Sequence, residues 1–326
     1  MEQVTIRDIA RKCKVGVSTV SRAMNNHPDI NPETKEMILK VIAESNYVPN
    51  NSARNLKRSN AKAIAILVKG MDNMFFNNMI SVIEEVVRKK KYACIIERVE
   101  EKANEVDSAI EIVKEKRLRG IIFLGGRSDY SPEEVSLLGV PYVCCSYTNS
   151  YGTLPPESYS SVSIADEQEA YRAVSELYQN GHRRIAVLTA DPDDSSISQL
   201  RYLGYQRALR DFGLTEHPED LICAEDFTIA NAYAAMQKRL RSPADFTAVF
   251  AIADDMAIGA MRALRESGRS IPEDCSVIAI DGISVSEYIH PMLTTLCQPM
   301  TAMGEASVEI LLDIIEGRGV HRHVTL

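Results

Sequence analysis

Beyond residue 61 the chain alternates between short unbroken apolar runs and stretches whose apolar residues recur every three or four positions. The runs predict buried strands at 64–68, 93–96, 120–124 and 141–145, and the periodic stretches predict helices at 77–91, 104–116 and 131–138 between them. The same texture then repeats. Strands are expected at 161–164, 184–188, 221–223, 248–251 and 277–280, with helices at 167–180, 199–212, 231–240 and 255–267. Such alternation builds parallel sheets covered on both faces. Two of them in tandem predict an α/β body of two lobes with a cleft between.

The first sixty residues carry a different pattern. Thr5 and Asp8 have capping-box spacing, and Ile6, Ile9, Ala10 and Cys13 then share one helical face. Gly16 stands where a tight turn or a weak N-cap is needed, and Val20, Ala23 and Met24 restart the apolar face. Asn31, Pro32 and Glu33 open a third helix running to about residue 46, with Ile38, Val41 and Ile42 turned inward. This is an all-α helix-turn-helix head, whose second helix is shaped for a DNA major groove. Its outer face bears Ser18, Thr19, Ser21 and Arg22, small hydroxyls and one long cation, where a merely solvated face would more often carry Glu and Lys. After Pro49, the basic stretch with Ala53, Arg54, Leu56 and Lys57 is too short for a helix stable by itself. It is expected to order on DNA, with Leu56 as a wedge in the minor groove; a plain polar linker is the alternative.

Charge sharpens that division. Residues 1–60 hold ten Lys or Arg against six Asp or Glu, a balance of +4, which leaves −12 on the rest of a 326-residue chain whose total is −8. A basic head on an acidic body suits a protein that grips a polyanion at one end. Seven Cys without a C-x-x-C pair, Cys144 and Cys145 being adjacent, fit reduced thiols better than disulfides or zinc. No apolar run of spanning length and no signal peptide is present, so a cytoplasmic protein away from membranes is expected.

The body lacks the usual declarations of an enzyme. Lys69-Gly70-Met71-Asp72-Asn73 follows the first strand in place of a G-x-G-x-x-G loop, and no Walker, nucleophile-elbow or H-E-x-x-H motif occurs. No cofactor is called for. Polar and aromatic residues do gather just past expected strand ends, where open sheets take ligands: Phe75, Phe76, Tyr147, Arg201, Phe227 and Asp281. Aromatic faces with one Arg and one Asp suit a small polyol or purine.

Several motifs in order carry a family likeness: the head T-I-R-D-I-A and V-S-T-V-S-R-A-M-N-N, the segment Tyr47-Val48-Pro49-Asn50 with Ala53-Arg54-Asn55-Leu56, then Gly181-His182-Arg183-Arg184, Arg201-Tyr202-Leu203-Gly204-Tyr205, Asp254 with Ala257-Ile258-Gly259-Ala260, Asp281-Gly282 and Leu293-Thr294-Thr295-Leu296. Along nearly its whole length the chain resembles the lactose/galactose repressor family of bacterial transcription regulators. The resemblance implies a homodimer on a near-palindromic double-stranded operator. Val17, Ser18 and Arg22 would read bases, Thr5, Thr19, Ser21, Asn25 and Lys57 would serve the DNA contact, and Leu56 with Ala53 would enter the minor groove. It further implies a periplasmic-binding-protein-like body whose effector meets Asn73, Phe75, Phe76, Tyr147, Arg201, Phe227, Asp254 and Asp281.

The expected division is a head over 1–48, a hinge over 49–60, a first lobe over 61–160 plus about 293–318, and a second lobe over 161–292 plus 319–326. The chain would cross between lobes near 160, 292 and 319, with a helix at about 301–316 returning to the first lobe. Ser146 and Ala253 depart from the family's usual Asp and Asn, which leaves the effector's identity open, and Gly16 stands for its usual Ser, which implies a slightly looser recognition helix. The chain stops where a last strand should begin, as if cut short, and no leucine-heptad tail of a tetramer follows. The expected mechanism is repression relieved by a sugar or sugar derivative. A purine-responsive corepressor type is the alternative, and a solute-binding protein a more distant one.

Overall fold

The computed structural model describes residues 5–24, 27, 29–45, 62–70, 73–100, 103–193 and 195–326. It divides into two compact units, Met1–Ala61 and Lys62–Leu326. Among the predicted contacts, Asn25, Ala53, Leu56 and Lys57 lie outside the described residues.

The first unit holds three helices, α1 (Ile6–Lys12), α2 (Val17–Met24) and α3 (Pro32–Glu44). Asp8 starts α1 by accepting from Thr5 twice, from its N–H at 3.0 Å and its hydroxyl at 2.6 Å. Asn31 caps α3 through the N–H groups of Glu33 (2.9 Å) and Thr34 (3.4 Å), with Pro32 at the first position where no donor is missed. Ile9, Ala10, Cys13, Val20, Ala23 and Ile38 form the core, flanked by Ile6, Val41 and Ile42 as their spacing predicts. Of the two roles expected for Gly16, the turn between α1 and α2 gives it the N-cap. The left-handed residue of the turn is Lys14 (φ 52°), while the Gly16 carbonyl accepts from Thr19 at 2.9 Å and Val20 at 3.1 Å.

The second unit contains two all-parallel sheets. The first joins β1 (Ala63–Lys69), β2 (Ala93–Val99), β3 (Gly120–Leu124), β4 (Tyr142–Cys145), β5 (Ser160–Ser163) and β11 (His323–Thr325) in the order β11-β5-β4-β3-β1-β2. The second joins β6 (Ile185–Thr189), β7 (Leu221–Cys223), β8 (Ala248–Ala251), β9 (Ser276–Asp281) and β10 (Thr294–Cys297) in the order β10-β9-β8-β6-β7. Each order reverses once, between β1 and β3 and between β6 and β8, and loops past the carboxyl ends of strands at such points form ligand crevices.

Connecting helices are α4 (Met74–Lys89), α5 (Glu105–Lys116), α6 (Pro132–Ser136), α7 (Asp166–Gln179), α8 (Ile197–Asp211), α9 (Ile229–Arg239), α10 (Asp254–Glu266) and α11 (Met300–Ile315). One apolar cluster runs through both sheets, and a second lies on the other face of the first sheet, around Phe123, Tyr130 and Tyr147.

The lobe limits fall elsewhere than at 160, 292 and 319. Ser160–Ser163 is buried and pairs with β4, Val143 facing Ser160, so the first lobe extends through residue 163. Thr294–Cys297 pairs with β9 and belongs to the second sheet. His323–Thr325 pairs with Ser161–Ser163, so the final segment joins the first lobe and completes a strand. The hydroxyls of Ser160 and Ser161, which meet His321 at 3.0 Å and His323 at 2.8 Å, hold it there.

Candidate functional site

The DNA-facing candidates and the effector candidates belong to different units and are treated apart. On α2, Val17, Ser18 and Arg22 are exposed, and Thr19 and Ser21 half-buried. Val17 is 41% exposed, too much for a valine whose task is packing. Thr5 is also exposed, at the start of α1. Arg22 pairs with Asp29 across the helix end at 3.2 Å, and Asp29 also meets His27 Nδ1 at 2.6 Å. The hydrogen bond from His27 holds the Asp29 carboxyl below its ordinary value, so Asp29 is a standing competitor for the Arg22 guanidinium.

In the second unit, Arg201 is the centre. It is 2% exposed, the largest fully buried side chain among the described residues. Its Nε donates to Asp166 Oδ1 at 2.8 Å, and Nη1 donates to the Ile252 carbonyl and, at 3.5 Å, to Asp281 Oδ1. Gly204, one turn on, makes this possible: a Cβ there would lie 2.2 Å from the Glu167 carbonyl, so only glycine lets α8 close on the start of α7.

Burial works to lower the Arg201 pKa, but Asp166 and Asp281 outweigh it and hold the guanidinium above its ordinary value. Burial pushes the Asp281 carboxyl up to about 7 despite Arg201, with Asp254 adding to the push. Asp166, at the shorter distance, is the nearer ionic partner, and burial raises its carboxyl too.

Asp281 ends β9 with φ 147°, a conformation side chains rarely adopt, followed by Gly282 at φ 76° tight against Cys297. Gln298 braces it, Nε2 donating to Asp281 Oδ1 at 2.8 Å. Among the described residues, buried side-chain oxygens without a hydrogen-bond partner include Thr189 Oγ1, Ser198 Oγ, Asp255 Oδ1, Gln298 Oε1 and, from the first lobe, Ser128 Oγ. Thr189 ends β6, and the others follow the carboxyl ends of β6, β8, β10 and β3. Native proteins leave few such atoms unpaired, because each costs about 1–3 kcal/mol. The lobes touch across the crevice: Ser128 N–H donates to the Ser195 carbonyl at 2.9 Å, and Met74 N–H to Asp255 Oδ2 at 3.3 Å.

The remaining effector candidates divide. Asn73 caps α4 through the Phe75 N–H at 2.9 Å, and Phe75 and Phe76 are buried with ring centroids 5.4 Å apart, Phe76 lying beneath Gly125. Phe227 is half-buried against the core. Two others are bonded within the protein. Tyr147 is 2% exposed with its hydroxyl 3.0 Å from that of Tyr130, which in turn bonds Glu105, so it belongs to the first lobe's core. Asp254 is fully buried and saturated. Gly282 N–H (3.0 Å), Ile283 N–H (2.9 Å), Ser286 Oγ (2.8 Å) and Thr295 Oγ1 (2.5 Å) all donate to it, tying the loop after β9 to β10.

Sequence reasoning missed Asp166, Asp255, Gln298, Thr189, Ser198 and Ser128. For Asp166 a signal existed: a carboxylate opening a helix directly after a strand.

Comparison with known proteins agrees with this geometry. Residues 5–50 match the family described as bacterial regulatory proteins, lacI family, and residues 174–326 match the periplasmic binding protein-like domain. The HTH-type transcriptional regulator MalR of Clostridium butyricum is 38% identical over 325 residues, covering 99% of this chain and 96% of the relative. The HTH-type transcriptional repressor CytR of Escherichia coli (strain K12) is 31% identical over 316 residues, covering 97% and 91%. Among solved structures, the transcriptional regulator CelR–cellobiose complex superposes with a TM-score of 0.72 at 28% identity, covering 99% of this chain and 97% of that one. With a DNA-reading helix pair ahead of two ligand-type sheets, and relatives of this identity along its whole length, the chain belongs to the lacI family of bacterial regulatory proteins: it is a helix-turn-helix transcription regulator and not an enzyme.

Proposed function

We propose that this regulator represses transcription as a homodimer on a near-palindromic operator, and that a sugar or sugar derivative in the crevice between its lobes releases it. The observation that carries the effector half is the buried Arg201–Asp281 pair, together with oxygens of Thr189, Ser198, Gln298, Asp255 and Ser128 at or past the carboxyl ends of strands that have no partner among the described residues. Three of these are hydroxyls and two are acceptors, a set that a molecule rich in hydroxyl groups can satisfy in both directions. The sugar in the CelR complex supports the same chemistry.

The operator half rests on the exposed face of α2, with Val17, Ser18 and Arg22 reading bases and Thr5, Thr19, Ser21, Asn25 and Lys57 contributing contacts to the backbone. Residues 49–60, with Ala53 and Leu56 at the minor groove, couple head to body. The protein works in the cytoplasm without a cofactor. Among the described residues no helix is long and apolar enough to cross a membrane.

The test is a thermal-shift screen of mono- and disaccharides and nucleosides against the full chain. A sugar is expected to raise the unfolding temperature, as mass action requires of any ligand that binds only the folded state. Stabilisation by nucleosides alone would replace the sugar reading with the purine one.

A further inference from the structure

Asp255 stands on the first turn of α10, in the second lobe, and its Oδ2 accepts the N–H of Met74, the first residue of α4 in the first lobe, at 3.3 Å. It is 7% exposed, and its other oxygen, Oδ1, has no hydrogen-bond partner among the described residues. A carboxylate so placed faces two opposed demands. The Met74 amide donates to Oδ2 in both protonation states and favours the charged one, though burial outweighs it. The unpartnered Oδ1 pays the full desolvation cost only when the group is charged.

Among the described residues no cation offsets that cost. The charged neighbour acting on Asp255 is Asp254 on its own helix, which works in the same sense as burial. Beyond it lies Asp281, whose charge is turned to Arg201 and whose Oδ2 accepts from Asp254 N–H at 3.4 Å. Across the lobe boundary the described residues opening α4, Asn73 to Asn78, carry no charge.

We infer that Asp255 is a proton-operated latch between the two lobes, holding them together when protonated and favouring their separation when ionised. Lobe opening would hydrate Oδ1 and return the group to its ordinary behaviour. The closed form therefore takes up a proton, and acid favours closure. Burial places the carboxyl at about 6 in the closed form against an ordinary 3.8. Between pH 8 and pH 5 the preference for closure then grows about tenfold, and the whole gain lies below about pH 7. The inference rests on the two-lobed crevice of the proposed function but not on any effector, since no ligand enters the step.

The experiment is amide hydrogen exchange of the full chain without added sugar, read by mass spectrometry on peptides covering 74–80 and corrected for intrinsic exchange. The wild type is expected to gain about tenfold in protection at Met74 from pH 8 to pH 5. Asp255→Asn keeps the acceptor and removes the charge, so it should be strongly protected at both pH values. Asp255→Ala should be weakly protected at both. Peptides from 120–124 report folding and should stay protected throughout. Equal protection of wild-type Met74 at both pH values, or an Asp255→Asn protein that keeps the wild-type dependence, overturns the latch. A chain that shows the dependence yet binds no sugar keeps the latch and loses the effector reading.

Discussion

Arg201 Nε donates to Asp166 Oδ1 at 2.8 Å between side chains that are 2% and 3% exposed, joining the second turn of α8 to the start of α7. The bond fixes where the rest of the guanidinium points, toward Ile252 and Asp281 at the crevice. In the proposed function one residue thus serves both stability and effector recognition, and a substitution there has two expected consequences. Arg201→Ala leaves two carboxylates buried without their cation and should cost about 3–5 kcal/mol. For a body of this size that lowers the melting temperature by roughly 10 °C, measurable by calorimetry. The sugar-induced thermal shift should vanish in the same variant, whereas a full shift at reduced stability would place the pocket elsewhere.

Glu105 supplies a pH-dependent prediction of opposite sign to the latch. It is 1% exposed, its Oε2 2.8 Å from Lys69 Nζ, and the Arg127 N–H donates to its Oε1 at 2.8 Å. Burial alone would raise its pKa, but Lys69 and the hydrogen bonds from Lys69, Tyr130 and Arg127 prevail and hold it below the ordinary 4.5. A depressed carboxylate contributes stability that is complete above its unfolded value and fades as pH falls through the folded one. Glu105→Gln should therefore be less stable than wild type at pH 7, with the gap closing below about pH 4.5. Urea titrations at pH 7 and pH 4 check this, and a gap that stays constant contradicts it.

Arg22 separates recognition from folding in the head. Its pair with Asp29 at 3.2 Å is exposed on both sides, 58% and 50%, and such pairs hold little of a fold together. Arg22→Ala should leave thermal unfolding unchanged while weakening operator binding by about ten- to a hundredfold, the worth of a bidentate base contact. Asp29→Asn frees the guanidinium and should bind slightly more tightly. If Arg22→Ala bound with wild-type affinity, α2 would not be the reading element.

What could be read from sequence depended on how local the cause was. Gly120–Leu124 was legible to the residue because a strand buried on both faces is one apolar run. Thr294–Cys297 was not read as a strand, since its polar, partly exposed residues lie at a sheet edge and owe their form to β9. The sequence places the start of α4 at 77 because Phe75 and Phe76 read as ligand candidates past a strand, although Asn73 already carries the cap of a helix that begins at Met74. At the crevice, Arg201 and Asp281 were found from their place after strands. The Asp166 that holds Arg201 is 35 positions away, and no spacing rule links them. Tyr147 and Asp254 occupied the right stretches of sequence, but only their hydrogen bonds reveal that both are spent on the fold.

The central claim is that one chain couples a DNA-reading head to a sugar-taking crevice. Fluorescence anisotropy of a labelled near-palindromic duplex, with the stabilising sugar absent and at saturation and at two salt concentrations, addresses it directly. Nanomolar binding that weakens steeply with salt, and weakens at least about tenfold further when sugar fills the crevice, is the expected result. Equal affinity with and without saturating sugar would contradict the account.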